Sequence, residues 1–148
     1  MLIRAAICLV AAIAVATWLD ATTVAAPQGS PVVRPAVTAG GYIYVSTLRP
    51  LSTDGDVTAQ TRDVLAQLKT VLEANNSSMG QLCHVQVALR KADDFAAMNT
   101  AYAEAIGAAP PARTTFVSWL RASTLVEISA VAVPNGATRE ALNPPGWT

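Results

Sequence analysis

Two residues in this chain have the type and setting to do chemistry, an arginine at the start of one predicted strand and a glutamate inside another. Arg113 follows Pro110-Pro111-Ala112 and opens the stretch Arg113–Leu120. A planar guanidinium holds a carboxylate through two parallel hydrogen bonds, so Arg113 is a candidate anion grip; an ordinary surface cation is the competing reading. Glu127 is set among Leu125, Val126, Ile128 and Val131. A carboxylate interrupting an apolar strand needs a partner, a functional role or an exposed strand face. Cys8, Cys83 and a lone His84 are too few soft ligands for a zinc site, so no metal is expected. His84 reads as an ordinary strand residue and Cys83 as a buried apolar one.

The chain has 148 residues with ten basic and ten acidic side chains. That balance removes the usual electrostatic argument for a nucleic-acid partner. Only 14% of residues are charged and 52% are apolar, a bias that suggests surface hidden by self-association. Part of it is the N-terminus, where Arg4 precedes an uncharged run from Ala5 to Leu19. The run is short for a membrane span but suits a signal-peptide core, and Val24-Ala25-Ala26 offers small residues for cleavage. Residues 1–26 are therefore expected to be a signal peptide of an exported protein, periplasmic or secreted, with no membrane contact after cleavage. The alternative is an uncleaved segment that tethers the protein to a membrane. Residues 27–35, with three prolines and a glycine, read as a linker or extended arm.

The folded part must position Arg113 and Glu127. Gly41–Ser46 is aromatic and β-branched, as a strand should be. From Val57 to Ala74, Val64, Leu65, Leu68, Val71 and Leu72 recur at helical spacing, with Gln60, Arg62, Asp63, Gln67 and Lys69 elsewhere; Asn75 and Asn76 stop the helix. Leu82–Leu89 alternates as a strand, with Cys83, Val85, Val87 and Leu89 on one face. Ala92-Asp93-Asp94 is expected to cap a second helix whose stripe is Phe95, Met98, Tyr102 and Ile106, ended by Gly107. Strands follow at Arg113–Leu120 and Thr124–Val133. Strand, helix, strand, helix, strand, strand predicts an α+β domain with two helices on one face of a mixed sheet. The domain is expected over 36–133, with a tail of little core-forming character over 134–148.

Several of these segments together resemble the RidA (YjgF/YER057c/UK114) family. They are Val45-Ser46, Gln60-Thr61-Arg62, Leu65–Ala74, Asp94–Tyr102, Pro111-Ala112-Arg113-Thr114 and Val126–Val133, in that order. The resemblance implies a chorismate-mutase-like fold assembled as a homotrimer with clefts between subunits. It also implies a cofactor-free deaminase acting on small 2-imino or enamine acids, with no metal or organic group required. By the same resemblance Arg113 grips the substrate carboxylate and Glu127 handles the attacking water. Asn99, Ser46 and the adjacent Thr47 fall at substrate-binding positions. A non-catalytic trimeric module that binds small carboxylate metabolites through the same clefts is the alternative. The chain departs from the pattern in places. Ser46 is followed by Thr47-Leu48 instead of glycine and glutamine, and Pro31-Val32-Val33-Arg34 lacks the family's N-terminal tyrosine. Thr115 and Ser129 replace a common cysteine and a second acid, and Arg49 is a possible extra cation.

Overall fold

Period-two alternation over 126–132, β-formers and small residues apart from Glu127, produces the strand at the centre of the sheet. A computed structural model describes residues 34–140 and 142 of the chain. The signal peptide and most of the arm expected over 1–35 lie outside the described residues, as does part of the tail. Five strands, β1 (Ala36–Ala39), β2 (Tyr42–Leu48), β3 (Leu82–Leu89), β4 (Ala112–Val117) and β5 (Val126–Ala132), form one sheet in the order β1-β2-β5-β3-β4. The parallel pair is β3 with β4, joined through a helix as parallel neighbours must be; the other pairs are antiparallel. Helices α1 (Val57–Ala74) and α2 (Phe95–Ile106) pack on each other, and α1 lies against β2 and β5. The α+β architecture with two helices on one face of a mixed sheet is as the sequence predicts.

The core lies between sheet and helices. Val85, Val87 and Leu89 of β3 and Val126, Ile128 and Ala130 of β5 meet Val64, Leu65, Leu68 and Leu72 of α1. Asp56 accepts from the Ala59 N–H at 2.9 Å to start α1, satisfying one of the amides that a helix N-terminus leaves free. The helix stops where Asn76 turns left-handed at φ 55°. Gly107, at φ 73°, ends α2, a conformation that favours glycine.

The structure corrects the sequence reading in five places, the first being that β4 ends at Val117, short of the expected Leu120. Ala36–Ala39 adds an edge strand, held antiparallel to β2 by a turn whose Gly40 and Gly41 both take positive φ. A register shift between Leu82 and His84 puts Leu82 fully in the core and leaves Cys83 only half-buried. The Asp94 side chain makes no cap bond; a single 3-10 turn over Ala92–Asp94 leads into α2 instead. Gln60 is buried. Its amide donates to the carbonyls of Thr53 and Ser123 at 3.1 Å each, and its oxygen accepts from the Leu125 N–H at 2.8 Å. A buried amide with these partners is satisfied, and it pins the turn before β5 to α1.

Candidate functional site

Strand alternation decides where each candidate side chain goes. Arg113 is paired with Val85 across the parallel ladder, and Val85 is a core residue, so Arg113 projects to the helix side. Because β4 is an edge strand, the arginine is only half-buried there. Its guanidinium carbon lies 4.6 Å from the Tyr102 ring centroid and 5.9 Å from that of Phe95. Both rings of α2 lie within cation–π range of the guanidinium, which leaves its N–H donors for an anion. Among the described residues no carboxylate pairs with it.

Beside Arg113 opens a cavity of about 330 Å³ lined by Asn99, Tyr102, Ile106, Gly107 and Pro111. Its size suits a small metabolite. Asn99 follows Phe95 and Met98 on α2 and lines this space. Tyr102 was expected only as part of the helical stripe, yet it touches both core and cavity. It is 4% exposed, and its hydroxyl, like that of Thr115, is buried without a hydrogen-bond partner. Burial raises the Tyr102 pKa above its ordinary 10.0, opposed by the neighbouring Arg113 charge. At neutral pH the ring therefore carries an O–H and no charge. The signal in the sequence was position: Tyr102 lies three residues after Asn99, on the same helical face.

Glu127 is on the other side of the sheet. It pairs with Ala88 in the antiparallel ladder, one residue out of phase with the core-facing Ile128. Arg49 donates from Nε to Glu127 Oε1 at 2.7 Å, so the glutamate has the partner that its apolar strand demanded. Ser46 and Thr47 occupy an irregularity in β2 where the register with β5 shifts between Val45 and Leu48. The Ser46 hydroxyl donates to the Pro35 carbonyl at 3.3 Å, Thr47 is exposed, and Leu48 turns into the core against Ile128. Leu48 therefore closes no cleft.

Within one copy the predicted residues thus form two groups. Arg113 and Asn99 meet on the helix side, whereas Glu127 stands with Arg49 on the open face of the sheet.

A model of the family described as Endoribonuclease L-PSP matches residues 23–134. The chain belongs to the RidA/YjgF family. A RutC family protein of Pyrococcus horikoshii is 38% identical over 104 residues, 66% of this chain and 82% of that protein. The 3-aminoacrylate deaminase RutC of Acinetobacter baylyi is 34% identical over 105 residues, 66% of this chain and 83% of its own. The crystal structure of a YjgF family member from Neisseria meningitidis is 31% identical and superposes with a TM-score of 0.69 over 74% of this chain and 92% of that one. This RidA-family chain thus shares its fold with solved members, and its cavity sits at the arginine quoted above for the resemblance.

Proposed function

We propose that the protein is a deaminase that hydrolyses small 2-imino or enamine acids to 2-keto acids and ammonia. The observation that carries this reading is Arg113, unpaired with any acid among the described residues and stacked on aromatic rings at the mouth of a metabolite-sized cavity. A 3-aminoacrylate deaminase among the relatives supports the reaction class.

In this reading the cleft is assembled between copies of the chain in a homotrimer. Arg113 and Asn99 of one subunit face Glu127, Ser46 and Thr47 of the next. Two features support that arrangement. Arg113 and Glu127 are on opposite faces of one sheet, so a single copy cannot bring both to one substrate. Among the described residues no helix covers the face bearing Glu127, and beside the polar Gln86, Thr114 and Ser129 it presents Val37, Tyr42, Tyr44 and Phe116, each roughly half exposed, as a surface meant for burial would.

Arg113 binds the carboxylate of the substrate, and Glu127 takes a proton from water as the oxygen bonds to the C=N carbon. The carbinolamine then collapses. The proton taken from water has by then passed to the imine nitrogen; as the C–N bond breaks, the hydroxyl proton passes to that nitrogen as well, so ammonia leaves and C=O forms. One imine and one water thus give one 2-keto acid and one ammonia. Positioned proton transfer of this kind typically contributes about 10²–10⁴ in rate. No step calls for a cofactor. We further infer from residues 1–26 that this chemistry takes place after export.

The description of the family model names an endoribonuclease, but the balance of ten basic and ten acidic residues removes the usual electrostatic argument for RNA. One observation favours a second reading, a binding module for small carboxylates without turnover: Glu127 is already engaged by Arg49. The test is ammonia release from 2-imino acids generated in place by an amino-acid oxidase. We expect wild-type release above the uncatalysed rate and its loss in Arg113→Ala. An assembled but inactive wild type, whose melting temperature carboxylates raise through Arg113, would establish the binding module instead.

A further inference from the structure

We propose that Arg49 is a positioning residue that makes Glu127 usable: it fixes the rotation of the carboxylate and offsets its charge against an anionic substrate. The inference rests on the deaminase reading and adds a residue to it. Arg49 Nε holds Glu127 Oε1 at 2.7 Å, while Oε2 has no partner among the described residues. One oxygen is thereby committed and the other is left to bind water. The glutamate side chain is only 13% exposed, so solvent does little to screen it, and unpaired it would repel the carboxylate of an incoming 2-imino acid. Within one copy Arg113 projects to the opposite face, and in the proposed shared cleft it is taken up by the substrate carboxylate, which leaves Arg49 as the cation on Glu127.

Arg49 is also held ready for this task. Its carbonyl accepts from Gln67 Nε2 at 2.8 Å, and Asp63 of the same helix accepts from the Leu51 N–H at 2.6 Å and from Gln67 at 3.2 Å. The buried Pro50 between them fixes the chain further. Two residues of α1 thus anchor the backbone on both sides of Pro50, directly after the arginine. The side chain itself is 53% exposed, with its two terminal nitrogens free of partners among the described residues.

The experiment uses the full chain and two readouts: calorimetric binding of 2-oxobutanoate, a product-type acid, and ammonia release. Arg49→Met should weaken 2-oxobutanoate binding about tenfold, the scale of one unscreened like charge near the ligand. Removing that charge as well, in the Arg49→Met/Glu127→Gln double variant, should restore affinity to within about threefold of wild type. Arg49→Lys keeps the charge without the planar fork, so binding and KM should hold while kcat falls. Glu127→Gln alone should bind the acid at least as tightly as wild type, and it remains informative if Arg49→Met fails to fold. Unchanged binding in Arg49→Met overturns the inference. So does a double variant as weak as Arg49→Met, because Arg49 would then touch the ligand itself. Binding that needs Arg113 but not Arg49 sinks this inference alone; a wild type that neither binds nor turns over sinks the deaminase reading with it.

Discussion

Arg113 stacks on Tyr102, whose hydroxyl is buried and without a partner. This O–H costs desolvation and returns no hydrogen bond in the free protein, so Tyr102→Phe should leave stability at neutral pH within about 1 kcal/mol of wild type, or raise it. The sign at high pH differs. The folded-state pKa of Tyr102 is raised above 10.0, so its contribution is fully present below pH 10 and is lost as pH rises beyond it. Melting temperatures from pH 8 to 11 should fall more steeply in wild type than in Tyr102→Phe; parallel curves would show that burial of this group does not govern the alkaline limit. The sequence made Arg113, Glu127 and Asn99 legible as candidates. It placed Tyr102 only in a helical stripe and Arg49 only as a possible extra cation, because such residues look alike in one dimension whether or not they touch a site.

The elements follow from local chemistry more than the site does. The run Val57–Ala74 reads as a helix because its apolar spacing and its asparagine stop agree, and the structure adds the Asp56 cap. Leu82–Leu89 reads as a strand, but not the register shift that turns Leu82 inward, since that depends on its pairing with β5. Gln60 was legible as a polar helix position and turned out to be a buried tie between α1, the loop at Thr53 and the segment before β5. Gln60→Ala leaves the Leu125 N–H and two carbonyls to find new partners. It should cost about 1–3 kcal/mol for each polar group left buried and unsatisfied, read as a lowered urea midpoint. A midpoint unchanged from wild type would show that water replaces the tie without loss. The same variant loosens β5 next to Glu127, so activity should fall with stability.

At the scale of the whole molecule, the helices cover one face of the sheet, and among the described residues the other face has no covering layer. Tyr42 and Tyr44, with ring centroids 6.3 Å apart, stand on that bare face. A charge placed there meets the partner surface if the face is an interface, so Tyr44→Glu should turn the assembly into monomers by light scattering and abolish turnover without unfolding the chain. A trimer that survives the substitution would put the interface elsewhere. The central claim is that one copy supplies Arg113 and another supplies Glu127. It is tested most directly by co-refolding two inactive proteins, Arg113→Ala and Glu127→Gln, in equal amounts. Each interface that joins an intact Arg113 from one chain to an intact Glu127 from the other regains a complete site, so ammonia release should return to about one quarter of wild type treated in the same way. A mixture that assembles yet stays as inactive as its two parents would contradict the shared site.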